Sequence, residues 1–156
     1  MDLYVILKIV HVIGACVLFG TGLGIAFFMW MANRTAEPAI IAVTVGIVVI
    51  ADTIFTATAV VAQPVTGVAL AHMMGIPLLS PWLVSSLALY LFVGACWLPV
   101  VWIQIRLRDL AAGARDAGEP LPAQYHRLFQ IWFILGWPAF AGVIAIFVFM
   151  IAKPPL

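Results

Sequence analysis

The first twenty residues place three side chains with polar chemistry on one predicted helix face. Tyr4, Lys8 and His11 are separated by four and three residues, a spacing that makes side chains neighbours on an α-helix. A neutral imidazole inside a helical bundle is a common ligand of metal ions and of haem iron. An ammonium beside it could pair with a haem propionate, because an unpaired buried charge is costly. The alternative is structural: Lys8 reaches the lipid headgroups and His11 bonds to a neighbouring helix.

The composition surrounding these residues is that of a membrane protein. Of 156 residues, 66% are hydrophobic and only 8% are charged, whereas about a quarter of a soluble domain is charged. A formal net charge of +1 gives no clustered basic face, so we expect no nucleic-acid partner. The lipid bilayer is the expected partner. Gly20 and Gly24 are spaced for close helix approach, which fits either a homodimer or tight packing within one bundle.

Four long apolar stretches predict an all-α, integral membrane four-helix bundle, a single transmembrane domain over residues 1–156. A helix crosses the hydrocarbon core with about 20 apolar residues, and lipid excludes open sheets. Pro64 and Gly67 predict a broken outer end of helix 2, which we expect to cover a site. The predicted spans are 3–32, 39–62, 82–104 and 128–152, with an irregular segment over 63–81.

Arginines predict the orientation of this bundle. Arg34 follows the first span, and Arg106, Arg108, Arg115 and Arg127 lie in or beside the third connection, which is predicted to be a polar loop. Connections rich in basic residues stay in the cytoplasm. We therefore expect a multi-pass protein of a bacterial inner membrane with both termini in the periplasm.

Further intramembrane polar residues extend the candidate site. Gln63 and His72 flank the outer end of the second span, where they could share the level of His11, and Asp52 lies roughly 16 Å deeper than Gln63. Because ionisable groups in spans also mark transport paths, Lys8, Asp52 and Gln63 equally fit a small metal or solute transporter or channel. A membrane scaffold without catalytic activity is the third alternative.

Four stretches show a family resemblance: "LKIVHVIGACVLFGTGLGIAFFM", "ADTIFTATAVVAQPVTG", "GACWLPVVWIQIRLRDLA" and "WFILGWPAF". Together they resemble a bacterial family of integral membrane proteins, the domain of unknown function 2269 family. More distantly, the opening residues Leu7, Lys8 and His11 are similar to the first helix of bacterial membrane protoporphyrinogen oxidases and of copper-resistance membrane proteins. The oxidase likeness implies haem b, with His11 as an axial ligand.

The leading expectation is therefore a haem b protein with an electron-transfer or porphyrinogen-oxidase-like role. Such a protein would be a haem-dependent oxidoreductase with a porphyrin or quinone-type redox partner, because the iron supplies the redox chemistry. The expected roles are His11 and His72 as iron ligands, Lys8 as propionate partner, and Tyr4 and Gln63 as hydrogen-bonding groups around them.

Overall fold

A computed structural model describes residues 2–154, and over that range the protein consists of four long helices joined by short connections. Each helix is long and apolar enough to cross a bilayer, which confirms the predicted all-α membrane bundle. Proline at the first helical position starts two of the helices, where its missing N–H costs nothing. The helices are α1 (Leu3–Thr35), α2 (Pro38–Met73), α3 (Pro81–Ala117) and α4 (Ala123–Ala152).

The helices pack mainly against their neighbours in the chain, while α1 and α4 make few contacts with each other. We call the end with the 36–37 and 118–122 connections the inner end, and the opposite end the outer end. Large apolar side chains fill the inner end, where Met29, Ile41 and Leu107 are completely or almost completely buried. Burial of this core stabilises the inner half of the bundle through close packing, since lipid supplies no hydrophobic driving force between helices.

A single π-helical turn, Asp52–Thr56, interrupts α2. Within it the Ala57 N–H donates to the carbonyl of Asp52, five residues back, where an α-helix would use the residue four back. Before this turn α2 packs against α3 and α1, and after it α2 packs against α1. The π turn thus marks the level at which α2 changes neighbours.

The predicted break at residue 63 is wrong, because α2 continues through Pro64 and Gly67 to Met73 and only residues 74–80 are non-helical. Pro64 has no N–H to donate to the carbonyl of Val60, one turn earlier. The hydroxyl of Tyr90 on α3 donates to that carbonyl instead. The helix therefore tolerates the proline, since a neighbouring helix satisfies the group that it frees.

The polar loop predicted after residue 104 is also largely wrong. Helix α3 continues to Ala117 and α4 begins at Ala123, so the connection is confined to residues 118–122. Leu107 and Ala111 are fully buried in the inner core, and this packing explains why the helix persists. Gly118 ends α3 with φ 66°, a left-handed conformation that glycine adopts without steric cost.

Candidate ligand cavity

Near the outer end, α1 and α2 are joined by a set of polar contacts that we call the outer cluster: His11, Gln63 and Thr66. The side-chain amide of Gln63 donates to the backbone carbonyl of His11 at 2.7 Å. The Nδ1 atom of His11 lies 2.8 Å from the Thr66 hydroxyl oxygen. The structure thus brings His11 and Gln63 to one level.

Hydrogen-bond roles in the outer cluster determine which nitrogen of His11 holds the proton. The Thr66 hydroxyl has one hydrogen, and it donates to the Ala62 carbonyl at 2.7 Å. With its hydrogen used in this way, Thr66 would accept from Nδ1–H of His11, and in that tautomer the Nε2 lone pair is available. The packing here is close, because a Cβ on Gly67 would lie 3.2 Å from the Cε1 atom of His11.

The other predicted site residues lie away from His11. His72 is exposed, and it lies about 9 Å beyond Thr66 along the axis of α2 and about 240° around it. Lys8 is exposed with its Nζ 5.8 Å from the ring centroid of Tyr4, whose hydroxyl lies 3.9 Å from the Met74 sulfur. The structure therefore does not pair His72 with His11. Across residues 2–154, no three His, Cys, Asp or Glu side chains cluster as a metal site.

A cavity of about 370 Å³ lies among all four helices, deeper than the outer cluster. We call it the central cavity. Its volume falls within the range of roughly 300–1,000 Å³ that small-molecule sites occupy. Apolar and aromatic side chains line most of it, and Lys8, His11 and Gln63 do not. Its polar or partly polar lining side chains are Asp52, Thr56, Tyr90, Trp97, Gln104, Trp132 and Trp137.

Asp52 is the one carboxylate among the described residues that line the cavity, and it is only 3% exposed. The indole N–H of Trp97 donates to both of its oxygens, at 3.3 and 3.2 Å. No salt bridge to Asp52 forms within the described part of the chain. The Thr56 hydroxyl is a second neutral neighbour of this carboxylate, so neutral groups alone surround its charge.

Two buried side-chain atoms of cavity-lining residues have no hydrogen-bond partner in the described range: Gln104 Oε1 and Trp132 Nε1. These residues are only 1% and 6% exposed. Buried polar atoms are bonded in the large majority of cases, and exceptions commonly mark a functional role or a bound water or ion. Side chains that carry unpartnered polar atoms therefore lie in the cavity wall, although these atoms are themselves buried.

The cavity opens sideways, between α1 and α4. Leu23 on α1 and Phe133 and Trp137 on α4 line the cavity and are also exposed on the outside of the bundle. Toward the outer end, Phe19 stacks on Phe140 with ring centroids 5.2 Å apart and closes the gap between the two helices. We call the opening below this pair the portal. It faces the region that hydrocarbon occupies in a bilayer.

Sequence reasoning found Asp52 but missed its neighbours in the cavity. Trp97 and Gln104 are two helical turns apart, so they share a face of α3, and this spacing was a usable signal. Thr56 and Trp132 gave no such signal, because threonine and tryptophan are frequent in membrane helices for other reasons.

Comparison with known proteins gives one match. The family model described as "Predicted integral membrane protein (DUF2269)" matches residues 5–154. No curated protein and no solved structure matches the chain. Four helices of membrane-spanning length agree with the family description. Because the match covers nearly the whole chain, the protein belongs to this family of integral membrane proteins, DUF2269.

Proposed function

We propose that this protein is a small solute transporter of a bacterial inner membrane and that its substrate, a molecule dissolved in the bilayer, binds in the central cavity. The observation that supports this most strongly is an apolar cavity among all four helices whose lining includes one buried carboxylate and two side chains with unpartnered polar atoms, Gln104 and Trp132. A solute would bury its apolar part against the aromatic lining and place its polar group near these side chains.

The portal supports entry from the hydrocarbon region. A solute that passes between α1 and α4 stays in an apolar environment until its polar group meets the cavity lining. The sequence predicted a solute path lined by Lys8, Asp52 and Gln63. Of these three residues only Asp52 lines the cavity, so the proposed path includes Asp52 alone. Lys8 and Gln63 lie toward the outer end, with Gln63 bonded to the backbone of His11.

The proposed orientation follows from the arginines at the inner end. Arg34 lies in the last turn of α1 and Arg127 on the first turns of α4. The last turns of α3 carry Arg106, Arg108 and Arg115. The inner end would therefore face the cytoplasm and both termini the periplasm.

Filling the cavity tests this proposal. Gly94 lines the cavity, and a Cβ added there meets no atom within 4 Å, so Gly94→Leu would place its side chain in the available space. The matched control is Gly113→Leu, which is equally open but lies outside the cavity near the end of α3.

The measurement is calorimetric titration with neopentylbenzene, a neutral apolar probe, in micelles of a non-ionic detergent. We expect the wild type and Gly113→Leu to bind and Gly94→Leu to lose affinity by at least about tenfold. No binding to the wild type, or equal binding to the two variants, would contradict the proposal.

A second proposal is haem b binding at His11, whose Nε2 is free to bind iron in the tautomer that protonates Nδ1. His11 fits the role of one axial ligand, but His72 does not fit the role of the second, because it lies on another face of α2. Bound haem would supply redox chemistry, on which an electron-transfer or oxidase-like role depends. The test is a Soret band in protein from haem-replete cells that is lost in His11→Ala and kept in His72→Ala.

A further inference from the structure

The charges around the central cavity are one-sided. Asp52 lines it, while no lysine, arginine or histidine is among its lining residues. An anion would therefore meet a carboxylate with no basic side chain to offset it. The lining charges therefore favour cationic and neutral solutes over anionic ones.

Asp52 itself lacks a counter-charge. The Trp97 indole, which donates a hydrogen bond to Asp52, is a neutral group. No cationic side chain in the described range lies within salt-bridge distance of Asp52. An ionised carboxylate in apolar surroundings is costly unless it is paired. A cationic group in the cavity would supply the missing pair.

The aromatic lining also suits a cation. Trp97, Trp132 and Phe19 contribute rings to the cavity, together with Phe133 and Phe140. The faces of such rings attract organic cations, and the attraction grows where water is excluded. Metal ions suit this lining poorly, because Ca²⁺ or Mg²⁺ requires about six oxygen ligands and the cavity is mostly apolar.

We propose that the solute of the central cavity is a lipophilic organic cation, an amine or quaternary ammonium attached to an apolar group, whose charge pairs with Asp52. The cationic group would lie at the Asp52 carboxylate, and the apolar group would extend toward the portal between α1 and α4. This inference rests on the proposed function, and it adds the chemical class of the solute.

Two probes of nearly the same shape separate charge from size. Benzyltrimethylammonium is a cation, and neopentylbenzene is its neutral counterpart with carbon in place of nitrogen. Both are titrated into the wild type, Asp52→Asn and Asp109→Asn. The last is the matched control, because Asp109 is an exposed carboxylate outside the cavity, beside Arg108.

We expect the cation to bind the wild type and Asp109→Asn, and to bind Asp52→Asn at least about tenfold more weakly. The neutral probe should bind all three proteins within about threefold, which also shows that Asp52→Asn is folded. If the Asn variant does not fold, Asp52→Glu and Asp52→Gln make the same comparison at equal side-chain length.

Failure of this inference differs from failure of the proposed function. If the neutral probe binds the wild type and the cation does not, or if loss of the charge at residue 52 leaves cation affinity unchanged, the solute is not a cation. If the neutral probe does not bind the wild type, the proposed function itself is wrong and the inference falls with it.

Discussion

The outer cluster and the central cavity are both polar sites inside a membrane bundle, yet their hydrogen bonding differs. In the outer cluster, Gln63 bonds to the backbone of His11, and His11 bonds to Thr66. In the central cavity, Gln104 and Trp132 have buried polar atoms without partners. Polar groups that bond to each other join helices, whereas buried polar atoms without partners commonly mark a functional site. The difference indicates that function is better sought in the deeper site.

The largest expected effect concerns Tyr90, which lines the cavity and bonds to the Val60 carbonyl. Tyr90→Phe should lower the free energy of unfolding by about 1–3 kcal/mol, because that carbonyl has no other donor beside Pro64. Unfolding by a denaturing detergent, followed by helical circular dichroism, measures the change.

A double-mutant cycle separates this explanation from a general packing defect. Pro64→Ala restores the backbone N–H that can donate to Val60, so Tyr90→Phe should cost less in that background. An equal cost in both backgrounds would show that Tyr90 does not act through this carbonyl.

The next effect tests the comparison directly by making the same change at two buried glutamines. Gln63→Leu should cost about 1 kcal/mol, because it removes a bond between α1 and α2. Gln104→Leu should be neutral or slightly stabilising, since it removes a buried carbonyl oxygen that has no partner. The same unfolding measurement applies. Equal losses at the two sites would abolish the distinction between bonded and unused polar groups.

An effect of about the same size is expected at Gly14, which allows Gln63 to approach α1. A Cβ at this position would collide with the Nε2 atom of Gln63 and displace it from the His11 carbonyl. Gly14→Ala should therefore be less stable than the matched variant Gly20→Ala by about 1 kcal/mol. Gly20 is the control because a Cβ there meets nothing within 4 Å. Equal stability of the two variants would contradict the close contact.

The smallest effect is expected at His72, which is exposed on α2. His72→Ala should change the free energy of unfolding by no more than about 0.5 kcal/mol, as is usual at exposed positions. The corresponding His11→Ala variant should lose more, because it leaves Thr66 without its partner on α1. A larger loss in His72→Ala would show that His72 has a structural role.

The sequence was sufficient to predict the architecture, because uninterrupted apolar length determines which segments cross a bilayer. It also correctly placed Gln63 at the level of His11. It failed at Pro64, since the group that compensates for the proline is Tyr90, on another helix. Compensation between distant residues depends on packing, and periodicity within a single helix does not reveal it.

The central cavity was not predictable for a related reason. Asp52 was recognised as unusual, because charged residues in membrane spans are rare. The unused atoms of Gln104 and Trp132 become visible only when all four helices are in place. Whether a polar atom has a hydrogen-bond partner depends on which side chains of other helices pack around it, and the sequence alone does not specify that packing.

The π turn at Asp52–Thr56 has a consequence for how tolerant α2 is of length changes. The turn accommodates one more residue than an ordinary α-helical turn. Deletion of a single residue there would restore regular winding with little rotation of the outer half of α2, so Gln63 and Thr66 would still face α1. A single deletion elsewhere in α2 would instead rotate everything beyond it by roughly 100°. The π turn is therefore the place where α2 tolerates the loss of one residue without exchanging the side chains that it presents to α1.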